Sequence, residues 1–346
     1  MTAAAARSER AAGAGGRGGS RPARPRILLT MGDPAGVGPE VALRALLDPA
    51  LRSEADLAVV GPRAVLERWA GRLAISIEAE IVDTGGDAPD TPGSPTPAGA
   101  EAALAAVVAA VQACREGAAD AVVTAPVTKA TIVAAGHDFP GHTEFLARLT
   151  GAGTVVMTFV HGARRVGLAT NHLPISAVAG SITTTLVLDK LLTLAVGLDE
   201  WLGVASPRIA VAALNPHAGE RGAIGSEETT VIAPAVAAAR AAGVDAEGPH
   251  PADAVLPLLG EAGSVRGYDA LLAMYHDQAT IPVRLWGISG GVNLTLGLPI
   301  VRTSPDHGTA ADIAGRGIAD PGSMVAAARL ARGIAARRLA RAAEGR

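Results

Sequence analysis

Residues 268–285 read YDALLAMYHDQATIPVRL, and residues 290–324 read GGVNLTLGLPIVRTSPDHGTAADIAGRGIADPGSM. The first is an apolar run of strand length that ends in His276 and Asp277. The second sets Asn293, Arg302, Asp306 and His307 among glycines and prolines. Polar side chains crowded into so turn-rich a segment point to loops over a site, where loops place chemistry that a regular scaffold cannot. Asx turns would explain Asn293 or Asp306 singly, but not the whole series.

Upstream, RILLT (26–30) runs into MGDPAGVGPEVALRALL (31–47), a strand, a glycine-rich turn and a helix opening near Pro39. Gly32, Gly36 and Gly38 do not have the G-x-G-x-x-G spacing, which excludes a Rossmann fingerprint. Backbone N–H groups at this helix start could face an anion, and a tight turn without a ligand explains the glycines equally well. DLAVVG (56–61) and ISIEAEIVD (75–83) read as strands around the helix AVLERWAGRL (64–73). A Pro/Gly loop then leads into a helix over about 98–117. DAVVTAPVTK (120–129) is a strand carrying Thr124, Thr128 and Lys129 at its carboxyl end, and DFPGHTEFLARL (138–149) puts His142, Thr143 and Glu144 at a helix start. His142 there is a cap neighbour or a ligand contact.

TVVMTFV (154–160), RVGLATN (165–171) and RIAVAALN (208–215) are further strands, with helical stretches at 181–200 and 226–242. Strands alternating with helices predict an α/β fold with a mostly parallel sheet covered on both faces. His172 follows RVGLATN, His217 follows RIAVAALNP, and His276 closes DALLAMY. All three stand at carboxyl ends of predicted strands, the edge at which open α/β sheets bind ligands. One such imidazole is ordinarily a hydrogen-bonded core histidine. Three at one edge can hold a metal and leave a position open for water or substrate.

Composition narrows the function classes. The 346 residues are 49% apolar and only 2% aromatic, so the core is built from Ala, Val, Leu and Ile. A net charge of −3 gives no electrostatic case for nucleic acid. No run approaches the ~18 uncharged apolar residues of a membrane span, so no membrane partner is expected. The apolar surplus suits a doubly covered sheet and a subunit interface. The one cysteine, Cys114, excludes a disulfide framework and reads as a buried helix residue. Residues 1–25 are Ala, Gly, Ser and Arg without periodicity or an apolar targeting core, which predicts a disordered tail and a cytoplasmic protein.

MGDPAGVGPE, VTAPVTK, GHTEFLA, LATNHLPI, LNPHAGE, YHDQ, GVNLTLGLPIVRTSPDHGTA and DIAGRGIADP together resemble the 4-hydroxythreonine-4-phosphate dehydrogenase family of vitamin B6 synthesis, from residue 26 to about 335. The DHGTAADIAGRGIADP portion is also similar to the nucleotide-side loop of the isocitrate and isopropylmalate dehydrogenases. The resemblance implies their fold, two α/β/α domains with mostly parallel sheets around a central cleft. Residues 26–150 with 300–346 would form the first domain, and 151–299 the second, with the metal histidines and a dimer interface.

The implied reaction is NAD-dependent oxidation of 4-phosphooxy-L-threonine followed by decarboxylation, with NADP as the alternative cofactor. The family's metal motifs match at His172, His217 and His276, and its sites are shared across a homodimer. Three neutral nitrogen donors suit zinc or cobalt better than magnesium. Substrate contacts map onto His142, Thr143, Arg284, Asn293 and Arg302, and cofactor contacts onto His307, Gly308 and Asp312. Lys129 and Asp253 are the candidates for the general base. His161, in FVHGARR, matches no family role.

The family usually has lysine where this chain has Arg284, and YHDQGL appears here as YHDQAT. Arginine keeps the charge but offers a planar fork. Alternatives are therefore related dehydrogenases of phosphorylated threonate or erythronate, or of dihydrodiol carboxylates. A phosphate acyltransferase of similar architecture, or a non-catalytic metabolite-binding protein, represents other classes.

Overall fold

The computed structural model describes residues 24–139, 141–259, 267–287 and 290–345. The expected disordered tail lies outside the described residues except for Arg24 and Pro25. Arg24 Nη2 donates to the carbonyl oxygens of Arg52 and Ala55, the latter at 2.6 Å.

The chain opens with β1 (Arg26–Thr30), α1 (Gly38–Ala45), α2 (Pro49–Glu54), β2 (Asp56–Gly61), α3 (Arg63–Leu73) and β3 (Glu80–Asp83). After the Pro/Gly loop come α4 (Pro97–Arg115), β4 (Ala121–Val123), α5 (Lys129–Ala134) and α6 (His142–Thr150). The middle of the chain forms β5 (Val156–His161), β6 (Arg164–Leu168), α7 (Ile175–Ser181), α8 (Thr184–Glu200), β7 (Ile209–Ala212) and α9 (Ala233–Ala241). It continues through β8 (Ala246–His250), α10 (Ala252–Val255) and β9 (Ala270–Ala273). Last are α11 (His276–Leu285), β10 (Val292–Leu296), β11 (Val301–Pro305) and α12 (Gly322–Ala343).

The α/β class with mostly parallel strands is as expected. Among the described residues the strands hydrogen-bond into one eleven-stranded sheet, ordered β3-β2-β1-β4-β11-β10-β5-β6-β9-β7-β8. Strands from 26–150 and 300–346 fill one end of it, and strands from 151–299 the other. Pairing is parallel within β3 to β11 and within β6 to β8. Three antiparallel pairings, β11–β10, β10–β5 and β5–β6, reverse the direction between the two parallel sets.

Parallel strands are buried on both faces, hence runs such as AVV in β4, where every residue is buried. The C-terminal helix α12 covers the centre of the sheet, packing on β11, β4, β10 and β1. It buries Met324, Ala327, Ala328, Ala331, Ile334 and Ala335, a stripe at helical spacing. Its alanines let the helix sit close to the strands, while Met324 and Ile334 each contribute roughly 1.5–3 kcal/mol by burial.

One expectation is corrected. Helix α4, 19 residues of PAGAEAALAAVVAAVQACR, is long and apolar enough to cross a membrane. Its Ala and Val side chains instead pack on β1, β2 and α5. Thr96 caps its start by accepting from Gly99 N at 3.0 Å, with Pro97 at the first helical position. Cys114 is half-buried near its end.

The glycine-rich turn after β1 is built for close approach. A Cβ on Gly38 would lie 2.5 Å from the Met31 carbonyl oxygen, and one on Gly36 would lie 2.8 Å from Thr309 Cβ. Val37 N donates to Thr309 O at 2.9 Å, so the turn docks directly on the 306–312 loop.

Candidate active site

Two of the three strand-end histidines meet because their strands are in register. β6, β9 and β7 are parallel neighbours, so their carboxyl ends share one edge. Beyond β6, Thr170 donates to Met274 O through N at 3.2 Å and through Oγ1 at 2.7 Å. Two residues further along each segment stand His172 and His276, with ring centroids 5.4 Å apart. Gln278 ties the neighbouring strand end into place: its Oε1 accepts from Met274 N at 2.7 Å and its Nε2 donates to Ala213 O at 2.8 Å.

His217 takes a different path. Residues 217–221 turn left-handed, with His217 at φ 52° and Arg221 at φ 58°. Such conformations cost roughly 1–2 kcal/mol per non-glycine residue. Glu228 offsets this at the root of the turn by accepting from Leu214 N at 2.9 Å, Asn215 N at 2.7 Å and Asn215 Nδ2 at 3.0 Å. The turn carries His217 to an exposed position outside the cleft that holds the other two.

That cleft has a volume of about 340 Å³ and gathers side chains from both parallel sets. Lys129, His142, Thr143, His172 and His276 line it, with Arg284, Asn293, Arg302, His307 and Gly308. His217, Asp253 and Asp312 do not. Asp253 opens α10 and Asp312 lies in the turns after His307, both exposed. A smaller cavity of about 140 Å³ between Leu43, Leu57 and Ile77 contains none of the expected site residues.

Arg302 is the electrostatic centre of the cleft. It is 2% exposed on β11, yet its guanidinium meets hydroxyls rather than a carboxylate. Nε and Nη2 donate to Thr124 Oγ1 at 3.0 and 2.7 Å, and Nη1 to Thr295 Oγ1 at 3.1 Å. Burial pushes its pKa down to about 9, against the attraction of Glu144. A cation buried among neutral donors and acceptors is a receptor for an anion, since burying it unpaired is otherwise costly.

Beside it, the His142 ring stands edge-on to Phe139, centroids 5.4 Å apart. Burial and then the charge of Arg302 push the imidazole down to about 3, so it is neutral near pH 7. His142 Nε2, Thr143 Oγ1, Asn293 Oδ1 and His307 Nε2 are buried without a hydrogen-bond partner among the described residues. Four such atoms around one cleft mark a place shaped for a polar ligand.

His172 keeps one face to solvent. Desolvation lowers its pKa, Glu144 opposes this, and His276 and Lys129 add to it. His276 Nδ1 lies 2.8 Å from Asp277 Oδ1, which leaves Nε2 for the cleft. Arg284 Nη2 approaches Asp306 Oδ1 at 3.4 Å, and burial raises Asp306 despite Arg284, His307 and His276.

Two imidazoles in one polar cleft fit the donor chemistry of a divalent ion. Among the described residues no group of three or more His, Cys, Asp or Glu side chains is placed to hold a metal within one chain. Sequence reasoning missed Thr295 and Phe139. Thr295 is a small polar residue inside an otherwise apolar strand, VNLTL, and that interruption was the available signal.

The sequence model of one family, described as Pyridoxal phosphate biosynthetic protein PdxA, matches residues 46–331. A 4-hydroxythreonine-4-phosphate dehydrogenase of Chromobacterium violaceum is 43% identical over 328 residues, covering 91% of this chain and 98% of that protein. One from Caulobacter vibrioides is 44% identical, covering 90% and 98%. The crystal structure of 4-hydroxythreonine-4-phosphate dehydrogenase from Klebsiella pneumoniae superposes with a TM-score of 0.79 at 37% identity, covering 90% of this chain and 100% of that one.

Proposed function

Because the chain belongs to the pyridoxal phosphate biosynthetic protein PdxA family, we propose that it oxidises 4-phosphooxy-L-threonine with NAD and releases the decarboxylated product, 3-amino-2-oxopropyl phosphate. The observation that carries this reading is Arg302, a buried cation held by Thr124 and Thr295 and open to an anion in the cleft.

In this reading the substrate phosphate lies against Arg302, with the neutral His142 and Thr143 supplying uncharged hydrogen bonds. Asn293 and Arg284 hold the rest of the substrate from the other side. His307 and Gly308 face NAD or NADP, whose nicotinamide supplies the redox chemistry. Asp312 belongs to the same loop and would meet the cofactor only through the loop's outer edge. Lys129 reaches the cleft and is the better placed of the two general-base candidates, since Asp253 does not line it.

His172 and His276 would hold the divalent ion, zinc, cobalt or magnesium, and the third nitrogen would be His217 of a second copy. A bound divalent ion supplies Lewis acidity that lowers the pKa of a hydroxyl and stabilises charge developing on its oxygen. The dimer is supported by Leu173, Ile175, Ile281 and Leu285, all exposed and close in sequence to His172 and His276. The cytoplasmic location expected from the sequence is part of this proposal.

The test is NADH formation with a divalent metal supplied, using 4-phosphooxy-L-threonine, phosphorylated threonate and erythronate, and a dihydrodiol carboxylate. Arg284, where relatives usually carry lysine, is the reason for including the last three. The reading holds if 4-phosphooxy-L-threonine has the highest kcat/KM. It falls if another substrate does, or if none yields NADH.

A further inference from the structure

Resting on the reading of His172 as a metal-holding residue, we propose that Glu144 is a positioning residue that fixes the tautomer and orientation of the His172 ring from behind the cleft. Glu144 is the third residue of α6, whose first two, His142 and Thr143, line the cleft. Its Oε1 accepts from Asn171 Nδ2 at 2.6 Å, and Asn171 immediately precedes His172. Its Oε2 is buried with no hydrogen-bond partner among the described residues.

That oxygen and the ring face the same small space. A Cβ on Gly141 would lie 2.9 Å from Glu144 Oε2 and 3.4 Å from His172 Nδ1. Gly141 has φ 170°, an extended conformation that any residue adopts, so the backbone does not require glycine there. The missing side chain instead leaves the space between carboxylate and imidazole open.

A neutral imidazole carries one ring proton, and the nitrogen that bears it is set by what that nitrogen faces. An ionised carboxylate only accepts. Oε2 makes no hydrogen bond to the ring, yet its charge on the Nδ1 side favours the Nδ1–H form and leaves the Nε2 lone pair free. Carboxylates in this outer position orient a ligating histidine and raise its basicity. His276 shows the bonded version, with Asp277 Oδ1 2.8 Å from its Nδ1. Both cleft rings thus have a carboxylate on the Nδ1 side, bonded at His276 and unbonded at His172. Glu144 also joins the helix that carries two substrate contacts to the segment that carries His172, bridging the two parallel sets.

The experiment is imidazole nitrogen NMR of the metal-free protein, followed by zinc titration. The His172 ring is expected as Nδ1–H in the parent protein. Glu144→Gln keeps an amide oxygen for Asn171 but loses the carboxylate, and Gly141→Ala fills the space without backbone strain. Both should shift His172 toward Nε2–H and weaken zinc binding by about 10–100-fold. An unchanged tautomer in both variants overturns the proposal. His172→Ala separates the two claims: retention of zinc would sink the metal reading, while the tautomer, read without metal, still judges Glu144.

Discussion

Arg302 Nη2 and Nε both donate to the single hydroxyl oxygen of Thr124, at 2.7 and 3.0 Å, so the residue that follows β4 holds the β11 guanidinium without neutralising it. A hydroxyl orients the cation and leaves its charge for a ligand. Arg302→Ala should lower kcat/KM for the phosphorylated substrate by about 10–100-fold or more, from lost charge-assisted bonds. Arg302→Lys should recover only part of this, because an ammonium cannot reach Thr124 and Thr295 and still present a fork. Unchanged kcat/KM in Arg302→Ala would remove the residue from the phosphate site.

His142 predicts a pH dependence of stability. Its folded pKa is depressed to about 3 from the ordinary 6.5, by burial first and Arg302 second. Below 6.5 the unfolded chain binds a proton that the folded ring refuses. Stability is therefore full above pH 6.5 and is lost as pH falls from there toward 3, by a total on the order of a few kcal/mol. Urea midpoints of His142→Gln should fall less steeply over pH 6.5–4.5 than those of the parent protein. Equal slopes would exclude this ring as the cause.

Much of this was legible in the sequence because it depended on periodicity. The strands around AVV and ALLA are short apolar runs, and α6 begins at His142 as GHTEFLARL predicted. The meeting of His172 and His276 followed from equal placement after parallel strands, which a sequence can show. The path of His217 could not be read, because the left-handed turn continues through Ala218, Glu220 and Arg221, residues with no preference for that conformation. The joining of all strands into one sheet depended on β10 pairing antiparallel on both sides, and no local pattern in VNLTL declares its partners.

Gly32 predicts a stability loss. It has φ +70°, and a Cβ there would lie 2.5 Å from the Pro126 carbonyl oxygen. Left-handed strain and overpacking add, so Gly32→Ala should destabilise by about 2–4 kcal/mol. Thermal unfolding of the metal-free variant measures this. A melting temperature equal to the parent's would show that the turn has room to move. Gly36→Ala should act differently, since its Cβ would press on Thr309 and disturb the loop of His307 and Gly308. Its KM for NAD should rise more than its stability falls.

The last prediction concerns how two copies share the metal. One chain brings His172 and His276 together but leaves His217 exposed and elsewhere. Sedimentation should give roughly twice the chain mass of 34.5 kDa. Chelation should abolish NADH formation, and zinc or cobalt should restore it. His172→Ala, His217→Ala and His276→Ala should each lower metal content and turnover, while His161→Ala, at the end of β5, should change neither. Mixing inactive variants then reads the geometry. A dimer of one His217→Ala and one His276→Ala chain contains a complete site, with His172 and His276 from the first chain and His217 from the second. Random exchange should recover about a quarter of parent activity, as half the dimers are mixed and each has one good site. Mixing His172→Ala with His276→Ala should recover none, because each chain then spoils its own pair. Rescue by the second mixture and not the first would mean that His172 and His276 serve different sites, and that His217 joins His276 of its own chain.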